Sequence, residues 1–112
     1  MSDCLFCQII KDTIPAKKLY EDDEILAFYD VSPQAPTHFL VIPKEHISTL
    51  NDTQNKELIG KLSIVASKIA TNLGFAKKGF RVVMNCNEDG GQTVYHIHLH
   101  CLAGRQLTWP PG

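Results

Sequence analysis

The sequence predicts an α+β fold: an antiparallel sheet carrying one long helix, with a short helix at the N-terminus. Three observations carry that reading. Two apolar, β-branched-rich runs, Ile25–Val31 and His38–Pro43, precede a single stretch of helical periodicity, and further strand-like runs follow it. Strands, then a helix, then a hairpin place the helix on one face of an antiparallel sheet. With 112 residues, 44% hydrophobic and 21% charged, the chain has the size and composition of one globular domain spanning residues 1–112.

Taken in order, residues 4–12 hold Leu5, Phe6, Ile9 and Ile10 at helical spacing, and Pro15 closes the segment. After the acidic turn Glu21-Asp22-Asp23-Glu24, ILAFYDV (25–31) reads as a strand. Pro33 and Pro36 break it, since each removes a donor and fixes φ. HFLVIP (38–43) is apolar on both faces apart from His38, which marks a central strand. From Asn51 to Leu73 the apolar residues Leu58, Leu62, Val65, Ile69 and Leu73 recur at helical steps, with Asn51, Asp52 or Thr53 as N-cap and Gly74 at C′. Gly60 inside this helix costs about 1 kcal/mol against alanine and suggests a close packing contact. FRVVMN (80–85) is a third strand, and turn-forming residues 87–91 return the chain into a strand bearing His96, His98 and His100. The tail ends Trp109-Pro110-Pro111-Gly112 and continues no regular element. So small a sheet with an apolar tail is expected to continue across a homodimer.

A formal net charge of −1 excludes the basic stripe of a nucleic-acid binder. No apolar run is long enough to span a bilayer, and the N-terminal stretch lacks the features of a signal peptide, so a cytoplasmic location is expected. In that compartment Cys4, Cys7, Cys86 and Cys101 are expected as free thiols or ligands rather than disulfides.

The three histidines at alternate positions are the candidate site. In a strand His96, His98 and His100 share one face, with adjacent side chains rooted roughly 6.5–7 Å apart, and Ile97, Leu99 and Cys101 pack behind. Two chemistries fit. Imidazole is a good nucleophile near neutral pH and can take a phosphoryl or nucleotidyl group, while a second histidine protonates the leaving group. Gly90, Gly91, Gln92 and Thr93 beside it offer backbone N–H, amide and hydroxyl donors to an anion, and Asn85 can add another. Alternatively, three imidazoles make a zinc site with an open position for water. Spacing alone leaves both open.

The segment His96-Ile97-His98-Leu99-His100-Cys101-Leu102 has the form His-φ-His-φ-His-φ-φ, where φ is apolar, and resembles the signature of the histidine-triad superfamily. Ile14-Pro15-Ala16, Ala27-Phe28-Tyr29-Asp30, Ser32–His38, Val41-Ile42-Pro43-Lys44 and the closing Trp-Pro-Pro-Gly resemble its Hint branch, the histidine triad nucleotide-binding proteins. The resemblance covers essentially the whole chain. It implies a homodimeric α+β protein that cleaves the P–N bond of purine nucleoside phosphoramidates, including aminoacyl-adenylate-type compounds, with no cofactor required. It makes His98 the nucleophile, has His100 contact the phosphate and assist the leaving group, has His96 orient His98 through its carbonyl, and gives His38 a proton-relay contact. Asp30 takes the ribose hydroxyls. Leu5, Phe6, Ile9, Phe28 and Val31 form the slot for the base, and Asn85, Gly91, Gln92, Thr93 and Val94 line the phosphate. Trp109 reaches toward the partner's site. The branch more often carries serine where Thr93 stands, so the extra methyl bears on leaving-group fit. Some histidine-triad proteins bind a structural zinc through a cysteine pair and two histidines, which here are Cys4, Cys7, His46 and His96; two buried thiols in the first helix are the plain alternative. Other readings are a purine-nucleotide-binding scaffold with incidental hydrolysis, a zinc hydrolase built on the triad, and a dinucleoside-polyphosphate hydrolase, against which the Trp-Pro-Pro-Gly ending speaks.

Overall fold

A computed structural model of the protein describes residues 3–112. Along the chain lie α1 (Leu5–Ile10), β1 (Lys18–Glu21), β2 (Ile25–Tyr29), β3 (Thr37–Pro43), a 3-10 turn (Leu50–Asp52), α2 (Lys56–Asn72), β4 (Arg81–Val83), α3 (Asn87–Gly90) and β5 (Leu99–Ala103). The five strands make one antiparallel sheet in the order β1-β2-β3-β5-β4, with β3 at its centre as its two apolar faces require.

The pleat divides the apolar residues between two cores. Ile25, Ala27, Phe39, Val41, Leu99 and Cys101 face α2 and meet Leu58, Leu62, Val65, Ala66, Ile69 and Ala70. Their strand neighbours Leu26, Phe28, Leu40 and Ile42 point the other way and are covered by Phe6 and Ile9 of α1. His38 and His100 alternate with the α2-facing residues and therefore belong to this second face. A six-residue helix thus roofs the half of the sheet that carries the histidines.

Local chemistry moved several boundaries. Thr49 and Asp52 close a capping box on the 3-10 turn, Thr53 is extended, and Asn55 restarts the helix by accepting from the Leu58 N–H. The helix accordingly begins after the expected Asn51–Thr53 caps. β1 was not expected: its half-buried, charged sequence is that of a sheet edge, with Lys18 held by Asp12 at 2.8 Å and Glu21 by Lys44 at 2.8 Å. Asn87–Gly90 form the single turn α3, not a tight hairpin, and Gly91 caps it at φ 82°. Regular pairing of β5 starts only at Leu99, so the strand expected to bear all three histidines holds His100 alone: His96 lies in a bend and His98 in the irregular segment that leads into the strand.

Gly60 corrects the expected close contact. It is exposed, and a Cβ built there meets no atom within 4 Å. Gly60→Ala should therefore raise stability by about 1 kcal/mol and Tm by about 4 °C in a thermal melt. A lowered Tm would mean that something covers this face in solution.

Candidate active site

Register brings two of the histidines together. His38 is opposite Leu102 and Leu40 is opposite His100, so His38 and His100 are diagonal neighbours on one face of the β3–β5 pair. Their rings meet with His38 Nε2 2.9 Å from His100 Nδ1. The surrounding bonds fix the tautomers. The Gln34 N–H donates to His38 Nδ1 at 3.0 Å, so the His38 proton is on Nε2 and donates to His100. His100 then carries its own proton on Nε2, which makes no hydrogen bond among the described residues. Asp30 stands behind the pair, with one carboxylate oxygen 3.5 Å from His38 Nε2 and the other accepting from the Ser32 N–H at 2.8 Å.

His98 is oriented by backbone. Its Nδ1–H donates to the His96 carbonyl at 2.8 Å, which leaves the lone pair on Nε2. Phe6 covers the ring edge-on, with centroids 5.1 Å apart, and His100 lies on another side at 4.9 Å. The residue is only 6% exposed, yet no fully buried side-chain nitrogen among the described residues lacks a hydrogen bond, so the unpartnered Nε2 must reach the surface. Burial, opposed by the bond to His96 and by the Asp30 charge, holds the His98 pKa below its ordinary 6.5. Burial, then the charges of His98 and His38, push His100 down to about 4, and burial also lowers His38. Near pH 7 the site holds neutral imidazoles, one of them with an unengaged Nε2 lone pair.

The loop before His98 turns through two glycines. Gly91 sits at φ 82°, and Gly90 packs over the Asn85 backbone, where a Cβ would stand 3.7 Å from the carbonyl carbon. Thr93 is exposed and Val94 half-buried.

Comparison with known proteins identifies this arrangement. A family model described as the HIT domain matches residues 11–107. The chain belongs to the HIT family. It is 48% identical over 107 residues to the purine nucleoside phosphoramidase of Escherichia coli, covering 94% of this chain and 90% of that one. A HIT family hydrolase from Legionella pneumophila superposes with a TM-score of 0.95 at 54% identity, covering 98% of this chain and 100% of the other. A histidine triad nucleotide-binding protein from Candida albicans superposes at 0.84 with 30% identity over 96% of this chain and 83% of its own. The α+β fold expected from the sequence is the HIT fold.

Within this HIT domain several candidate residues sit differently from expectation. Gln92 does not face a phosphate. Its amide oxygen accepts from the Asn87 N–H at 2.9 Å, and its NH2 donates to the carbonyls of Ser48 at 2.7 Å and Val94 at 3.1 Å. A buried amide with every bond spent inward holds the loop instead. Of the slot residues, Phe6, Ile9 and Phe28 are buried in the second core, while Leu5 and Val31 are 44% and 96% exposed. Trp109 is 80% exposed and lies over Arg81 of the edge strand β4, 5.9 Å from the guanidinium. Sequence reasoning missed Gln34 and Pro43, which act through a backbone N–H and carbonyl and leave no side-chain signal.

The histidine triad also does not converge on one ligand. His96 is fully buried and turns to the cysteine pair. Its Nε2–H donates to the Pro43 carbonyl at 2.8 Å, so its Nδ1 lone pair faces Cys4 Sγ at 3.5 Å, Cys7 Sγ at 3.6 Å and His46 Nδ1 at 3.2 Å. Cys7 Sγ is 3.4 Å from His46 Nδ1. One lone pair cannot accept from three neighbours at once. A tetrahedral zinc with Zn–S ≈ 2.3 Å and Zn–N ≈ 2.0–2.1 Å, by contrast, has edges of about 3.6 Å (S···N) and about 3.3 Å (N···N). The four donors fit it. The three-imidazole zinc alternative loses its ligand set, because His96 is engaged here and His98 by a carbonyl.

Proposed function

We propose that this HIT protein hydrolyses purine nucleoside 5′-phosphoramidates through a nucleotidyl-His98 intermediate. The observation that carries the reading is the His98 ring itself: Nδ1–H is fixed by the His96 carbonyl, and Nε2 is unengaged, neutral and at the surface. The name of the E. coli relative supports the substrate class.

In the first step His98 Nε2 attacks the α-phosphorus while the P–N bond breaks. The negative charge of the bound phosphoramidate adds to that of Asp30 in favouring an extra proton on the pair: the His38 Nε2–H turns from His100 to the Asp30 carboxylate 3.5 Å away, His100 Nδ1 takes a proton from solvent, and His100 Nε2–H is delivered to the departing nitrogen. The amine leaves, the pair is neutral again, and it removes a proton from the water that cleaves the N–P bond to release the nucleoside monophosphate. The backbone of Thr93 and Val94 supplies donors to the phosphoryl oxygens, with Asn85 at the same loop, while the Gly91 N–H donates to the Glu88 carbonyl at 2.9 Å and caps α3. Asp30 uses its remaining lone pairs for the ribose hydroxyls, and the base lies on Leu5 and Val31 at the rim of the Phe6/Phe28 core.

Zinc would be held by Cys4, Cys7, His46 and His96, where it would supply structure and take no part in bond making. A homodimer forms along the β4 edge, where Val82 is 42% exposed and Arg81 tethers the tail through the Thr108 carbonyl at 2.9 Å, placing Trp109 to reach the second copy. No helix among the described residues is long and apolar enough to cross a membrane, and we place the reaction in the cytoplasm.

Release of tryptamine from its adenosine 5′-phosphoramidate, followed by indole fluorescence, tests the reading. Turnover is expected without added metal. Its kcat/KM should fall on acidification with a midpoint below 6.5, because protonation of Nε2 removes the nucleophile and the His98 pKa is lowered. No release, or an acid limb above 6.5, contradicts the proposal.

A further inference from the structure

The His38–His100 pair has two self-consistent proton arrangements, and only one of them can give a proton away. In the arrangement present, His38 Nε2–H donates to His100 Nδ1 at 2.9 Å and the His100 proton stands on Nε2. In the other, His38 carries its proton on Nδ1 and His100 Nδ1–H donates back to His38 Nε2. His100 Nε2 is then an unprotonated lone pair with nothing to deliver. The same contact between the rings serves both. What separates them is the far side of His38, where the Gln34 N–H points at Nδ1 from 3.0 Å and would meet another N–H head-on in the second arrangement. Asp30, 3.5 Å from His38 Nε2, favours the same proton position.

Gln34 lies in an irregular, exposed loop between β2 and β3. Two braces are local: the Ser32 N–H donates to Asp30, and the Gln34 side-chain NH2 donates to the Ser32 carbonyl at 2.9 Å. Two further contacts reach the loop from the end of β5. Thr37 is opposite Ala103, so the chain leaving β5 runs beside the chain entering β3. There the Arg105 guanidinium donates to the Gln34 carbonyl at 3.0 Å, across 71 residues of sequence. Gly104, at φ 99°, lies so close to Pro36 that a Cβ built on it stands 2.9 Å from the proline Cβ.

We infer that Gly104 and Arg105 are positioning residues for the proton that His100 delivers. By seating Pro36 and gripping the Gln34 carbonyl, they aim the Gln34 N–H at His38 and hold the pair in the arrangement with a proton on His100 Nε2. The tail beyond Arg105 has a separate tether, Arg81 to the Thr108 carbonyl at 2.9 Å, so trimming Arg105 leaves Trp109 anchored.

The inference rests on the function proposed above, so its test also reads the two rings without substrate. Full-length wild type is compared with Arg105→Met, Arg105→Lys and Gly104→Ala. Ring 15N shifts of ligand-free protein report which nitrogen of His38 and His100 bears the proton. Turnover is measured on an adenosine alkylamine phosphoramidate and on the p-nitrophenyl ester of AMP, whose phenolate departs unprotonated. Wild type should show both rings protonated on Nε2. Arg105→Met should move part of both populations to Nδ1–H and lower kcat on the amine substrate by about three- to ten-fold, with the ester changed by less than about two-fold. Arg105→Lys keeps a donor for the Gln34 carbonyl and should stay within about two-fold of wild type on both substrates. Gly104→Ala pushes Pro36 away and should change the rings and the amine reaction in the same direction as Arg105→Met. If it fails to fold, the two variants at the exposed Arg105 carry the comparison. Three results overturn the inference: ring shifts unchanged in Arg105→Met, an equal loss with both leaving groups, or Arg105→Lys no better than Arg105→Met. If wild type turns over neither substrate, the proposed function fails instead, and the ring shifts alone decide this inference.

Discussion

His98→Ala is expected to lower turnover of an adenosine phosphoramidate by at least about 10⁴-fold while AMP binding survives. The size follows from the absence of a substitute nucleophile. The lone pair of His100 is on Nδ1 and accepts from His38, that of His38 accepts from Gln34, and that of His96 points into the cysteine cluster. Water attacking directly would have to be activated by the neutral His38–His100 pair, and the P–N bond would have to break with none of the covalent chemistry His98 supplies. Retained AMP binding shows that the variant is folded. A purine-nucleotide-binding scaffold predicts the opposite pattern: weak turnover in the wild type that the substitution leaves unchanged.

His100→Ala should show a loss that depends on what leaves. With an alkylamine leaving group, which departs only if protonated, kcat is expected to fall by about 10²–10⁴-fold. With a p-nitrophenyl ester of AMP, whose phenolate departs unprotonated, the fall should be under about ten-fold. The ratio isolates the proton delivered by His100 Nε2–H from any general damage to the site. His38 and Asp30 act through the same proton, so His38→Ala should change the ratio in the same direction. A uniform loss across both leaving groups would assign His100 to phosphate binding alone.

The strong periodic signals translated directly into structure. The two-faced apolar strand at Thr37–Pro43 is the sheet centre, and the stripe of Leu58, Leu62, Val65 and Ile69 is the buried face of α2. What escaped depends on partners distant in sequence. β1 is held as an edge by β2 and by ion pairs, and its own pattern is too mixed to announce a strand. Gly60 looked like a packing contact because a helix interior rarely accepts glycine without one, yet it faces open space. In the site, the alternation of histidines was legible but its division of labour was not. His96 and His98 both touch Phe6, yet the His96 ring turns to the cysteine cluster while His98 keeps an unengaged Nε2, a difference set by the Pro43 carbonyl across 53 residues. Gln92 reads as a phosphate ligand beside two glycines until its three partners are seen. Val31 stands 96% exposed beside the Ser-Pro turn while Phe28 is buried, a difference that the apolar character both share does not announce.

The covalent intermediate is where the account is most exposed. A rapid-quench reaction of wild-type protein with adenosine phosphoramidate, digested and sequenced by mass spectrometry, should show the added mass of adenylate on the peptide containing His98, localised to that ring and absent in His98→Ala. Adenylate on His100 or His38, or a wild-type peptide that remains unmodified throughout steady turnover, would contradict it.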